Sequence, residues 1–473
     1  MGFTTAHREL AKTTHDFTVG FFEREPYLED AREALNETGK WDGGKGNCPL
    51  NPLLTLSFVV MMTLKREVSI ANLLKDLLDL IREESQDVSL GAVKSEAMCH
   101  ARKRLGPEPL KLMYEKTAER IDPEPSFLGF RTWGVDGVHL TMPDTPANEA
   151  EFGRPGVSRG NAAFPQMNAV LLVDAATRLV KDAVFGRCND PERPATVKLI
   201  DDLGDQDLVF MDRGISAVWV FKACSSTHFL GRISASWKPT KICRLGDGDS
   251  LVMITGREVV RTWTDKNGKV RRKYRKITMT ARMIEYTIKG GEEIRLITDL
   301  LDPEKYPARE LAVGYHIRWE SELSYDELKT HFATVTHGTL HTTFRSKKPA
   351  GVLQEAYAML IGYNMVRELI AEAGKEHDIP PLEISFLETV HIIRLAIPRF
   401  QRHSPDQYAR LSHQLLEDVA GVRNKRPRRK RQYDRVVKVK MSKFGVKGPQ
   451  HKQMLRDFEA DLVVQDASSR MHQ

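Results

Sequence analysis

Cysteine is scarce. Five are scattered along 473 residues (Cys48, Cys99, Cys188, Cys224 and Cys243), and no two form a C-x-x-C pair. That spacing argues against a zinc ribbon or a disulfide framework and fits a reducing compartment. Long apolar runs are missing as well. The longest, Leu53 to Leu64, has twelve residues, too few to cross a bilayer and suited to a buried helix. The opening Met-Gly-Phe-Thr-Thr-Ala-His-Arg lacks the apolar stretch of a secretion signal, and no short-period repeat is visible. The expectation is a cytoplasmic chain with no membrane segment. Charged residues at 29% and aromatics at 8% are ordinary for a soluble protein, and the length allows about two to four domains. A net charge of +7 tilts toward a polyanionic partner only weakly, so the distribution of charge matters more.

Helices are expected first. Asn51-Pro52 stands in the favoured cap and first-turn order. Val68 to Arg82 carries Leu73, Leu74, Leu77, Leu78 and Ile81 at helical spacing, and Ser89 caps a further helix, Leu90 to Leu105, ended by Gly106. The polar side of that last helix holds Lys94, His100, Arg102, Lys103 and Arg104. Two helices, a short turn and a basic second helix outline a helix-turn-helix; a plain helical bundle with a cationic rim reads equally well.

From Gly129 the period changes. Phe130 to Met142 reads as a strand with Asp136 inside it, costly unless the charge is needed or hydrogen-bonded. Two strands follow, Met167 to Val173 and Leu179 to Phe185, joined by Asp174-Ala-Ala-Thr177, where Asp174 reads as a turn residue. Next come a helix from Pro194 to Leu203, a strand ending in Met211-Asp212-Arg213-Gly214, a helix from Ala217 to Ser225, and a strand from His228 to Ile233. An antiparallel meander leading into parallel crossovers implies a mixed sheet with helices on its faces. Asp212 falls at the carboxyl end of a strand, where sites on such sheets collect. Residues 234–305 break the pattern with two hairpin turns, Asn267-Gly268 and Gly290-Gly291. The first hairpin is heavily basic and includes Arg271, Arg272 and Lys273 with Trp263 and Tyr274 among the cations. Such charge either guards an edge or contacts a polyanion.

Tyr315 to Lys329 holds no Gly or Pro and is expected to be one helix. At about 100° per residue, Tyr315, Arg318, Glu322 and Lys329 share a stripe roughly 60° wide. An aromatic, two cations and a carboxylate suit a surface that holds a phosphodiester beside a metal ion; a solvated face laced with ion pairs is the alternative. Asp326 lands on the same stripe, so geometry does not choose Glu322.

Asp136, Asp212 and this helix together resemble the DDE transposases of bacterial insertion sequences, and most nearly the insertion-element-four family, whose signature is Y-x2-R-x3-E-x6-K. Tyr315, Arg318, Glu322 and Lys329 match it position by position, and Gly134-Val-Asp-Gly137, Phe210-Met-Asp-Arg-Gly214 and Phe344-Arg-Ser-Lys-Lys-Pro349 look like the family too. The likeness runs from about 50 to 445. It implies a ribonuclease-H-like core: an α/β mixed sheet flanked by helices, interrupted by a β-strand insertion, with an all-α N-terminal domain and a helical C-terminal region. The expected divisions are 1–125 (helical, DNA-binding), 126–233 and 306–375 (catalytic core), 234–305 (insertion) and 376–473 (helical, with a basic arm at 423–447). One departure stands out. Some relatives carry a base-stacking Trp in the last insertion strand, whereas Glu293 to Thr298 has none, so a base-flipping route is not carried over.

The resemblance implies Asp136, Asp212 and Glu322 as catalytic metal ligands for two Mg²⁺ ions, or Mn²⁺ in their place, with Asp136 bridging. Mg²⁺ takes oxygen ligands, and a metal pair serves both the attacking and leaving oxygens of an in-line displacement. Tyr315, Arg318 and Lys329 would hold phosphates; Arg213, Arg271, Arg272, Lys273, Arg102 and Arg104 are further DNA-contact candidates. Past Gly421, twelve Lys and Arg between 423 and 447 face only Asp434, a composition for a disordered arm on phosphate or a solubilising tail. The implied partner is double-stranded DNA, both element ends and target, with a homodimer at synapsis and no membrane. The rivals are a nuclease or resolvase that cuts without joining, and an inactive DNA-binding regulator.

Overall fold

The computed structural model describes residues 26–41, 50–66, 68–85, 95–157, 160–288, 293–331, 343–402, 407–424, 431–432, 456–457 and 461–465. The Ser89 cap, the Gly290-Gly291 turn and most of the basic arm lie outside them. Five helices come first: α1 (Tyr27–Glu37), α2 (Pro52–Leu64), α3 (Ile70–Ser85), α4 (Ser95–Leu105) and α5 (Glu108–Glu119). The centre holds β1 (Arg131–Thr141), α6 (Pro146–Phe152), β2 (Gly156–Val157), β3 (Gly160–Asn161), β4 (Gln166–Asp174), β5 (Val180–Arg187), α7 (Glu192–Leu199), β6 (Asp207–Met211), α8 (Val218–Ala223) and β7 (His228–Ile233). Then follow β8 (Thr240–Gly246), β9 (Asp249–Thr264), β10 (Val270–Ile288), β11 (Glu293–Thr298) and α9 (Ala308–Gly314). After the segment 315–331 come α10 (Pro349–Glu376), α11 (Phe386–Arg402), α12 (Tyr408–Ala420), β12 (Arg431–Gln432), β13 (Arg456–Asp457) and β14 (Leu462–Val464).

The chain forms two compact units. The helical unit comprises Met1–Pro123, Gly137–Glu192 and Glu320–Asn424; the sheet unit comprises Glu124–Asp136, Arg193–Trp319 and Lys425–Gln473.

In the helical unit, Asn51 caps α2 by accepting the Leu54 N–H at 2.7 Å, with Pro52 in the first turn. Twelve of the thirteen α2 residues are buried, which is why this apolar run needs no membrane. Its hydroxyls are satisfied locally: Thr55 donates to the Asn51 carbonyl and Thr63 to that of Val60. The spine of the unit is α10, 28 residues and so roughly 42 Å long. It packs against α2, α5, α11 and α12. Each of its fully buried Leu, Ile and Val side chains contributes about 1.5–3 kcal/mol of burial. Asn364 on this helix clasps the start of β5, accepting the Val180 N–H and donating to the Val180 carbonyl, both at 2.9 Å. The β4–β5 hairpin turns as expected, with Asp174 accepting the Thr177 N–H at 2.8 Å.

In the sheet unit the strand order is β1-β6-β7-β11-β10-β9-β8, with β14 on β10. The strands β1, β6 and β7 run parallel; β11 then joins β7 antiparallel, and the rest follow antiparallel. The mixed α/β class is therefore as expected, and the strands after residue 234 extend the same sheet. Two turns expected of that region become a longer meander, because Asp247-Gly248 also reverses the chain between β8 and β9. One face buries Phe210, Leu230, Ile284, Tyr286 and Leu296 with Leu311, Ala312 and Tyr315. Within this interior Arg282, fully buried, pairs with Asp249 at 2.6 Å and donates to the carbonyls of Leu300, Asp302 and Tyr306. It fastens the base of β9 and β10 to the chain leading into α9.

Removing one partner of such a pair leaves the other charged and buried. Arg282→Ala is expected to lower unfolding free energy by about 3–5 kcal/mol, read from the urea midpoint at unchanged slope.

Candidate active site

The two aspartates of the sheet unit follow the last registered pair of two neighbouring strands. On the parallel strands β1 and β6, Gly134 pairs with Phe210 and Val135 with Met211. Asp136 and Asp212 are the residues that follow this last pair, on chains whose strands lie about 4.8 Å apart. Strand alternation turns Asp136, inside β1, to the face of Gly134, and Asp212 follows directly on the carboxyl end of β6. Both are half-buried.

A closed turn fixes Asp212. One of its carboxylate oxygens accepts the Ile215 N–H at 2.8 Å, and its carbonyl accepts the Ser216 N–H and hydroxyl at 3.1 and 2.8 Å. Arg193 donates to the Gly214 and Ile215 carbonyls at 3.0 and 3.2 Å from outside. Arg213 is left exposed at the tip. In the helical unit, the Glu192 carboxylate lies against the residue after Asp136: a Cβ at Gly137 would sit 2.2 Å from Glu192 Oε1. Sequence reading missed this acid, since a Glu opening a helix is a common dipole-compensating choice.

The expected single helix from Tyr315 to Lys329 is instead three turns of different pitch: a 3₁₀ turn (Tyr315–Arg318), an α segment (Trp319–Asp326) and a π turn (Glu327–His331). The uniform 100° rule fails at both ends. In the 3₁₀ turn residues three apart eclipse, and the Arg318 guanidinium lies 5.9 Å over the Tyr315 ring and 5.8 Å over that of Trp319. Tyr315 does not face solvent as expected. It is 7% exposed, packs edge-on against Phe210, and donates its hydroxyl proton to the Met211 carbonyl at 3.0 Å. Burial above all, with the Asp212 charge adding and Arg318 opposing, pushes its phenol up to about 12. Its work is to brace the strand end that carries Asp212. Burial, helped by Arg318, pushes His316 down to about 4, so it is neutral at pH 7.

Glu322 and Lys329 belong to the helical unit. Glu322 is half-buried, whereas Asp326 and Lys329 are exposed. Two other acids of the segment lock it in place. Arg178, at the end of the β4–β5 turn, pairs with Glu320 at 2.5 Å and with Glu327; Arg367 on α10 also pairs with Glu327, and the Tyr363 hydroxyl donates to it at 3.0 Å. Burial drives the Glu327 carboxyl upward, but the Arg367 and Arg178 guanidiniums outweigh it and hold it below its ordinary value. Sequence reading had no signal for this clamp, because its arginines come from distant parts of the chain.

Arg102 corrects a second expectation. It is buried, paired with Glu355 at 3.3 Å and bonded to Gln354 and Ser346. Arg66 pairs with the same glutamate at 3.6 Å, and the Arg345 N–H donates to it at 2.8 Å. The motif Phe344 to Pro349 thus serves a buried ion-pair cluster. Arg104, Arg213, Arg271, Arg272 and Lys273 are all exposed, and Arg271 pairs with Asp265 at 2.8 Å.

Asp136, Asp212 and Glu322 offer only oxygen donors, which suits a hard dication. Among the described residues, no three His, Cys, Asp or Glu side chains gather as a metal site. Mg²⁺ is commonly held by one or two carboxylates, with water and phosphate completing its shell, so the aspartate pair fits such an ion. Among the described residues, no helix is long and apolar enough to cross a membrane.

Residues 134–365 match the family model described as Transposase DDE domain. The chain is 31% identical over 364 residues to the transposase InsG for insertion sequence element IS4 of Escherichia coli (strain K12), covering 74% of this chain and 78% of that relative. Among solved structures it is similar to a piggyBac transposase synaptic complex with hairpin DNA, determined by cryo-EM, at TM-score 0.44 and 9% identity, covering 87% and 86% of the two chains.

The clamp on Glu327 makes stability depend on acid. A carboxyl held below its unfolded value, 4.5, stabilises the fold above that pH, and the stabilisation is lost as pH falls through the folded value. The stability gap between the wild type and Glu327→Gln is expected to be full at neutral pH and to shrink below pH 4.5, measured by urea unfolding across a pH series.

Proposed function

Because the chain belongs to the IS4 family of DDE transposases, we propose that it binds the terminal inverted repeats of its own insertion element, cuts there, and joins the freed 3′-hydroxyls to target DNA. The observation that best supports a phosphodiester-cutting site is that Asp136 and Asp212 each follow the last registered pair, Val135 with Met211, of two neighbouring parallel strands. Glu322 supplies the third carboxylate in this reading, on a segment that Arg178 and Arg367 keep from turning. Mg²⁺, or Mn²⁺ in its place, would be held by these three residues, two ions to a site; when bound, such ions stabilise the charge that builds on the attacking and leaving oxygens.

The remaining roles follow from this reading. Arg318, stacked on Tyr315 and Trp319, presents a planar fork to a phosphate beside the aspartates. Lys329 and Arg213, both exposed, supply point charge and a second fork. Tyr315 is a positioning residue that acts through the Met211 carbonyl. Two copies of the chain would hold two element ends together, and the work would be done in the cytoplasm.

Full-length protein is mixed with duplex DNA from the outer end of the element and Mg²⁺, and nicking is followed on a denaturing gel. Asp136→Asn, Asp212→Asn and Glu322→Gln are each expected to lower nicking about a thousandfold, equivalent to several kcal/mol of lost charge stabilisation, while Asp326→Asn nicks normally. Wild-type rates in Asp136→Asn and Asp212→Asn would overturn the site. Pre-cleaved ends offered with a plasmid test the joining step: ends that are never joined would favour a nuclease. Tyr315→Phe should slow nicking with DNA affinity unchanged within about twofold, since one neutral hydrogen bond of about 1 kcal/mol is lost and no DNA contact is.

A further inference from the structure

The sheet's longest strands run on past the body that they help to build. Register pairs Gly256 of β9 with Ile277 of β10. At that level the sheet still packs on α8: a Cβ at Gly256 would lie 2.6 Å from Val218 Cβ, so only glycine permits the approach. Beyond it, from Arg257 to Lys276, every residue is exposed or half-exposed. The two strands pair only with each other there and turn at Asn267-Gly268, where Gly268 takes φ +74°. Eight strand residues of β9 and seven of β10 reach roughly 25 Å.

This ribbon holds nine Lys and Arg against two acids, Glu258 and Asp265. Alternation along β10 sets Arg271, Lys273 and Arg275 on one face, with Arg261 opposite Lys273. Arg272, Tyr274 and Lys276 lie on the other, with Arg257 opposite Lys276. Val260 is the extra residue of a bulge, which adds twist. The acids are committed to exposed pairs, Glu258 with Arg275 at 2.5 Å and Asp265 with Arg271 at 2.8 Å, and such pairs are weak enough to exchange for phosphate. Trp263 is 42% and Tyr274 50% exposed, an unusual display of aromatic surface.

A strand that lies flat on a duplex needs cations on one face. Charge that only guards against aggregation needs them on an edge. Cations on both faces of a free ribbon match a different setting: the major groove, about 12 Å wide, whose two walls both carry phosphate. We propose that the ribbon Arg257–Lys276 enters the major groove of duplex DNA, each face toward one phosphate wall, with Trp263 and Tyr274 available to apolar base edges. This rests on the reading of the chain as a transposase and adds which element enters which groove.

The probe is a labelled duplex from the outer end of the element, bound by the full-length protein. Two variants divide the faces: R271Q/K273Q/R275Q and R257Q/R272Q/K276Q. Each is expected to weaken binding at least tenfold and to lower the slope of log affinity against log salt by roughly 2 to 3. Each should also lose the same short patch of guanine N7 protection from dimethyl sulfate. Should either variant fail to fold, the single changes Lys273→Gln and Arg272→Gln, one per face, carry the test, each lowering the slope by roughly 1. An effect confined to one face, or N7 protection that survives both variants, overturns the groove placement while leaving the transposase reading intact. Absence of any footprint by the wild type overturns both.

Discussion

A charge taken out of water must be met by another, and that requirement organises the helical unit. Glu327 is buried between Arg178 and Arg367, with Tyr363 completing its shell. Glu355 is wholly buried between Arg66 and Arg102. Buried pairs of this kind add little net stability compared with apolar packing, but they are intolerant of misplacement, because a shifted partner leaves a naked charge. A helix held by packing alone can rotate by a fraction of a turn at small cost. One whose acids at 320 and 327 are gripped by an arginine from a hairpin turn and another from α10 has little such freedom. Glu322 lies between those acids, on the stretch that they hold.

The sheet unit reaches the same end by a different device. There, register does the positioning: once Val135 pairs with Met211, the next residues on both strands have no choice of neighbour. A one-residue slip of one strand against the other would turn one aspartate away from the face that holds the other. The Asp212 turn and the Tyr315 hydroxyl then hold the strand end, and the rigid backbone carries the acids. Hydrogen bonds of the strand and turn thus hold the aspartates of the sheet unit, and ion pairs hold the segment around Glu322 in the helical unit.

Much of this was legible in the sequence. The Asn51-Pro52 cap, the Asp174 turn, the parallel crossovers and the Asn267-Gly268 reversal all follow from local chemistry, and local chemistry is what a sequence displays. Asp136 could be placed inside a strand and Asp212 at the end of one because apolar strand runs are short and distinct. The segment 315–331 was harder. Its composition is that of a good helix, and the tightening at Tyr315–Arg318 and widening at Glu327–His331 are imposed by partners, the Met211 carbonyl at one end and two arginines at the other. Tertiary contacts override propensity there, and nothing local announces them. Arg102 misled for the same reason: on a helical wheel it belongs to a basic face, and only Glu355, some 250 positions later in the chain, pulls it inside.

Arginine therefore does two kinds of work here, and the distinction bears on the small net charge. Arg66, Arg102, Arg178, Arg282 and Arg367 sit inside with four acids, Glu355, Glu320, Glu327 and Asp249, that cancel most of their charge. Their charge contributes almost nothing to the field outside. The cations of the β9–β10 ribbon have few such partners and stand in water. A net +7 averaged over a folded body would attract a polyanion feebly. Matched pairs inside and unmatched cations on one protruding element make the field local, and a local field of several charges is what steers a duplex into one orientation.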